Sequence, residues 1–227
     1  MNHDVYDYTT NTVPQNTVLQ KTYRLLGLSF IPAAAGAFIA SQAGFSIYAM
    51  LGGKFIGFIA MMVFFYGMVF LIEKNRYSNT GATLLMVFTF GMGVLISPLL
   101  QYALNVHKGS QIVGIAAVMT AAVFFTMSAL AKRSNVNMSS LGNFMTIGAI
   151  VLMIGVVANL FLSIPALSLA LSAGFVLFSS VMIMFQVRQV IEGGEDSHIS
   201  AALTIFISLY NIFSSLLHIL LSLNRDE

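Results

Sequence analysis

The chain has 227 residues, of which 58% are hydrophobic and 8% charged, with a net charge of +2 and a mean hydropathy of +0.88. A soluble domain carries roughly 25% charged residues, so this composition excludes a water-coated globule and makes lipid the solvent for most of the chain. The small net charge argues against nucleic acid as a partner. The absence of cysteine excludes disulfides, thiolate metal sites and thiol nucleophiles.

Residues 1–24 hold Asp4, Asp7, Lys21 and Arg24 among Thr, Asn, Gln and Tyr. Such a segment buries too little apolar area to offset its ordering entropy, and a flexible polar tail is expected. A signal peptide over residues 1–43 is the competing reading. Its charged region would be unusually long, and its apolar run continues as a full span. Seven apolar runs follow at about 25–46, 50–72, 80–104, 110–131, 139–162, 166–190 and 198–222, before a short tail at 224–227. Each run is near the ~20 residues that cross a ~30 Å hydrocarbon core as helix. Their length and lack of alternation argue against strands. The breaks at Glu73–Asn79 and Lys132–Met138 are polar. Ser163-Ile164-Pro165 is tight enough to make a hairpin of the fifth and sixth spans, and Glu192-Gly193-Gly194-Glu195-Asp196 forms the last break. Pro98 is expected to kink the third span. The fold class is therefore an all-α membrane protein, a seven-transmembrane-helix bundle in one domain.

Lys and Arg near the span ends set orientation. With the N-terminus cytoplasmic, the inner side holds Lys21, Arg24, Lys74, Arg76, Lys132, Arg133 and Arg188, and the outer side Lys54, Lys108 and Arg225. Seven against three places the N-terminus inside and the C-terminus outside. Lys54 snorkels to the outer interface, and Tyr23, Tyr48, Tyr77 and Tyr102 fall where interfacial aromatic anchors belong. Ala166, Ala170 and Gly174, and Gly53 with Gly57, repeat every four residues. This spacing suits close helix packing, with a dimer face as the alternative.

The polar residues of the seventh span are patterned. Ser200, Thr204, Ser208, Asn211, Ser215, His218 and Ser222 follow spacings of four and three, and occupy one stripe about 80° wide. The sixth span carries a weaker companion in Ser168, Ser172, Ser179 and Gln186. Groups of this kind seek partners in lipid, so both seams are expected to face a shared interior. Either they act as packing glue, bonded to backbone and to each other, or they line a hydrated pathway. None of the eight acids lies within an expected span, although carboxylates there are the usual tools of proton relays and cation sites.

Enzymatic readings lack their residues. The sequence has no paired intramembrane aspartate, no Gly-x-Ser-x-Gly and no HExxH. His218 shares a helix face with Ser215, which does not make a triad. His3, His107 and His198 lack metal-ligand spacing, and Gly193-Gly194 is a turn without the lysine or strand of a phosphate loop. No metal and no cofactor are expected.

The stretch from Gly155 to Ala173, GVVANLFLSIPALSLALSA, resembles the transmembrane Bax inhibitor motif family in its bacterial YccA-like branch. So do Ile191–Ile199, IEGGEDSHI, then Ser208–Phe213, SLYNIF, and Ser215–Leu217, with Gly93–Pro98 fitting more loosely. The likeness extends over nearly all of residues 20–223. The resemblance implies a seven-helix fold with the last helix in the bundle interior, in the bacterial cytoplasmic (inner) membrane. It also implies two functions. Some members resemble pH-sensitive calcium leak channels, and the YccA-like branch is associated with FtsH, an ATP-driven membrane protease. Channel-type members carry an aspartate near the end of helix six and another in helix seven. By the same alignment these positions are Gln186 and Ser208 here, which are neutral and cannot form a coupled, titrating pair or offer negative charge to calcium. The leading expectation is thus a non-enzymatic modulator of the FtsH protease, with lipid and an FtsH-type protease as partners. The alternative is a cation leak channel or transporter, weakened by the loss of that pair.

Overall fold

The computed structural model describes residues 15–46, 50–133 and 137–224. Among the described residues it contains seven long α-helices: α1 (Gln15–Gln42), α2 (Lys54–Lys74), α3 (Asn79–Asn105), α4 (Gly109–Arg133), α5 (Met138–Leu162), α6 (Pro165–Glu192) and α7 (His198–Leu223). All seven are long and apolar enough to cross a membrane, and the described residues contain no strand. Residues 1–14 of the expected 1–24 tail, Tyr48, the Lys54 side chain and Arg225–Glu227 lie outside the described residues.

Local chemistry fixes the helix ends. Ser78 opens α3 by accepting from the Gly81 amide, Asn137 opens α5 by accepting from Ser139 and Ser140, and Ser197 opens α7 by accepting from Ser200. Each supplies an acceptor to amides that the first turn leaves unpaired. At the end of α6, Gly193 adopts φ 78°, the left-handed conformation that glycine reaches without Cβ strain. The α5–α6 connection is as tight as expected. Ser163 is left-handed with its amide on Asn159 O, Asn159 Oδ1 accepts from the Ile164 amide, and Pro165 starts α6 where no amide is needed.

α1 begins at Gln15, not near residue 25. The polar composition of residues 15–24 hides a helical period, in which Val18, Leu19, Thr22 and Leu26 are all buried. Thr22 satisfies its own hydroxyl by donating to Val18 O at 2.8 Å. Ten residues assigned to the tail by composition therefore belong to the bundle. α3 runs unbroken through Pro98. Proline cannot donate to the carbonyl four residues earlier, and Ser97 Oγ donates to that carbonyl, Val94 O, at 2.8 Å.

The core is built around α7, which packs against α6, α1, α4, α3 and α2. α1 and α3 make the most intimate crossing, where glycines let two backbones touch. A Cβ on Gly36 would lie 2.2 Å from Phe90 O, and one on Gly93 2.0 Å from Ala33 O. α5 is peripheral: it packs chiefly on α6 and buries only Met145 among its side chains. Its outward face exposes Phe144, Ile147, Ile150, Val151 and Ile154. In water such a patch would be a liability, whereas in a bilayer it is the contact with lipid. Ala166 and Ala170 are exposed, and the Gly174 position faces Leu152 of α5. The small-residue stripe of α6 therefore serves packing at one of its three positions.

Candidate functional site

The polar positions of α6 and α7 occupy the packed centre of the bundle. Ser179, Gln186, Ser208, Ser172 and Ser215 are buried, and Thr204, Asn211 and His218 are half-buried. The polar stripe does not mark the one buried face of α7, because Ile205, Ile212 and Leu217 on other faces are fully buried too. A central helix is surrounded on all sides, so polarity there reports which side chains find hydrogen-bond partners.

Several hydroxyls of these two helices find partners locally. Ser208 Oγ donates to Thr204 O at 2.9 Å, Ser180 Oγ to Val176 O at 2.6 Å, and Ser214 Oγ to Asn211 O at 3.2 Å. These bonds follow the back-bonding habit of serine within helices. A bond between side chains joins the two helices, where Ser172 Oγ lies 2.9 Å from His218 Nδ1 and 3.0 Å from Ser168 O. With His218 protonated on Nδ1, the ring donates to Ser172 and the hydroxyl donates to Ser168 O, so both contacts form at once. Cavities of about 510, 520 and 780 Å³ occur in the bundle, and none is lined by Ser179, Gln186, Ser208 or Ser215.

A second polar constellation, which the sequence did not single out, closes the end of the bundle where α2 stops and α7 starts. Arg76, in the α2–α3 turn, pairs with Glu195 and with Glu73, the latter at 3.3 Å, and lies 3.7 Å from Asp196. Ser200 Oγ donates to Glu73 Oε1 at 2.6 Å, and Ser197 Oγ to Arg76 O at 2.7 Å. Tyr77 donates to Asp196 Oδ1 at 2.8 Å and stacks its ring under the Arg76 guanidinium. The turn after α2 is thus tied to the turn after α6. Burial works against the Arg76 charge, and nearby Glu195, Tyr77, Glu73 and Asp196 outweigh it, so its pKa lies above the ordinary value. Nearby, Arg188 pairs with Glu192 and donates to Ala131 O at 3.2 Å, holding α6 against the end of α4. The available signal was that charged residues flank two breaks on the same side of an alternating bundle. Sequence alone does not say that these two breaks meet.

The hydrogen bond to Asp196 is the chief cause that raises the Tyr77 pKa, against the opposing charge of Arg76. A phenol whose folded pKa is raised contributes stability that is fully present below the ordinary tyrosine range near ~10 and is lost as pH rises through the folded value. Spectrophotometric titration of the Tyr77→Phe variant against the parent should remove one late-ionising phenol. A difference curve centred on the ordinary tyrosine range would contradict the bond.

The arrangement is one of neutral packing along α6–α7 and charged fastening at one end. Among the described residues, no group of three or more His, Asp or Glu is placed to hold a metal ion. Comparison with known proteins finds relatives over the whole length of the chain. A protein of Neisseria meningitidis serogroup B is 72% identical over 227 residues, covering all of both chains. The Escherichia coli K12 protein named "Modulator of FtsH protease YccA" is 39% identical over 217 residues, 96% of this chain and 95% of its own. A Pseudomonas aeruginosa protein is 37% identical over 202 residues, 89% of this chain. The counterpart in a second E. coli strain is named an inner membrane protein, and the seven apolar helices make this chain a multi-pass protein of the same membrane. The family model described as "Inhibitor of apoptosis-promoting Bax1" matches residues 15–226, and the chain belongs to this Bax inhibitor family.

Proposed function

We propose that this protein modulates the FtsH protease of the inner membrane by binding, without chemistry of its own. The observation that carries the reading is the full-length relationship to a protein named as such a modulator. The α6–α7 seam supports it. The two positions where channel-type relatives would need carboxylates hold Gln186 and Ser208, and the Ser208 hydroxyl bonds to Thr204 O within its own helix. Neutral, locally satisfied groups provide glue between helices and give a cation no charge to displace its water.

The helix order also supports a cytoplasmic N-terminus. Alternating helices put the start of α1 on the same side as Lys74, Arg76, Lys132, Arg133 and Arg188, and a basic side faces the cytoplasm. An ATP-driven protease starts from a chain end, and the expected polar tail ahead of α1 would be its point of entry. Residues 15–24 are committed to α1. A seven-helix bundle fastened at the same end by Arg76 and Arg188 resists extraction. The protein would then occupy the protease and slow its turnover of other substrates. Deleting residues 2–14 should restore degradation of another FtsH substrate in cells expressing this protein. Undiminished inhibition by the truncated protein, at equal abundance, would refute the role of that end.

A further inference from the structure

α1 and α4 stand apart on one side of the bundle, and the space between them is floored by α3 and α7. The larger part is a cavity of about 780 Å³ lined by Phe30, Ala37, Ala121, Phe125, Phe206 and other residues, nearly all apolar. A second cavity of about 520 Å³ shares Leu26, Phe30, Phe124 and Phe125 with the first and continues it to the end of α4. There the lining turns polar, with Tyr23, Ser128, Lys132 and Arg133. From Arg133 to Val113 the groove follows α4 for about 30 Å at ~1.5 Å per residue.

Three features of the polar end single it out. Lys132 and Arg133 are exposed, and among the described residues neither forms an ion pair. The acid on the neighbouring helix, Glu192, is already held by Arg188. Ser128 is 8% exposed, and both its Oγ and the Tyr23 hydroxyl are buried without a partner in bonding geometry. The two hydroxyls lie within reach of each other, and neither meets a third polar group, although both belong to the lining of the basic end. Buried polar groups are rarely left in that state unless something completes them. Basic residues in a last helical turn also complement the helix dipole. That role needs neither a cavity nor unsatisfied hydroxyls.

We propose that the α1–α4 groove is a site for one anionic phospholipid. Its phosphate sits against Lys132 and Arg133, its glycerol or ester oxygens meet Ser128 and Tyr23, and one acyl chain runs down the phenylalanine-lined channel. One leaflet is about half of a ~30 Å core, so a chain starting at Arg133 reaches the level of Phe124 and enters the larger cavity. The basic end also selects an anionic headgroup over a zwitterionic one.

The test uses the full-length protein in vesicles with a phospholipid carrying a diazirine on one acyl chain, as either phosphatidylglycerol or phosphatidylcholine. Labelled peptides are mapped by mass spectrometry. Phosphatidylglycerol should label peptides from residues 23–41 and 113–133 about tenfold more than phosphatidylcholine does. Lys132→Gln with Arg133→Gln should bring that ratio close to one. Ala121→Trp, an exposed alanine inside the groove, should reduce labelling of these peptides by both lipids, and Ile150→Trp on the outward face of α5 should not. Equal labelling by the two lipids, or a preference that survives loss of both cations, overturns the proposal. Label spread over α2 and α5 in place of the groove also overturns it, and would mean that a protein segment or a second copy fills the space.

Discussion

Gly93→Ala is expected to weaken the folded bundle by about 3 kcal/mol, the upper part of the usual range for overpacking. The new methyl carbon would lie 2.0 Å from Ala33 O and 2.9 Å from the Ala37 amide nitrogen, both backbone atoms of α1. No rotamer change relieves contact with backbone, so the helices must move apart. The reciprocal contact at Gly36 with Phe90 O opens with them, and because the two glycines share one crossing, a double variant should cost less than the sum of the singles. Gly114 on α4 is the control, since a Cβ there meets nothing within 4 Å. Gly114→Ala should be neutral or stabilising by up to about 1 kcal/mol, because alanine loses less backbone entropy in a helix. Unfolding in mixed micelles with increasing denaturing detergent measures both. Equal stability of the two variants would mean that the α1–α3 crossing does not depend on backbone contact.

Arg76→Gln should cost about 2 kcal/mol and loosen the α6–α7 turn. A fully buried pair that loses one partner costs about 3–5 kcal/mol, and an exposed pair typically less than about 1. Arg76 lies between these limits, with its side chain 28% exposed and that of Glu195 13% exposed. The change leaves Glu195 and Glu73 close together without their cation, and Tyr77 without the charge over its ring. Glu195→Gln in the same background should recover part of the loss, because it removes the stranded carboxylate. Cleavage at Gly193-Gly194 by added protease reports the loosening directly, and high salt should narrow the difference between variant and parent. If Arg76→Gln leaves both stability and cleavage unchanged, the cluster is a surface ornament and the fastening argument fails. Under the proposed function the result bears on resistance to extraction, because this end also holds the start of α1.

Particular residues show where sequence reading stopped. The stripe on α7 was visible as a period of four and three, and Ser208 and Ser215 are indeed buried. That Ile205 and Ile212 on other faces are buried as deeply was not visible, because hydropathy is high on every apolar face of a membrane helix and does not distinguish lipid from protein. Residues 15–24 read as tail because average polarity outweighed the placement of Val18, Leu19 and Thr22. The Ser172–His218 contact joins residues 46 positions apart, and no spacing rule links two helices at that distance. Gly36 and Gly93 looked like two among 18 glycines, whereas Ala166 and Ala170 had the more regular spacing and remain exposed.

The sequence by itself determined the solvent, the number of helices, the tight α5–α6 hairpin and the neutrality of positions 186 and 208. Those properties depend on composition, run length and single residue types, which are local. The tertiary structure decided which helix is central, which glycines let backbones meet, that Arg76 reaches across to Glu195, and that α1 and α4 leave a groove between them. These depend on which side chains from distant segments share a volume. In a bilayer, where lipid is as apolar as the core, packing and hydrogen bonding select that arrangement, with little help from the pattern of hydrophobicity along the chain.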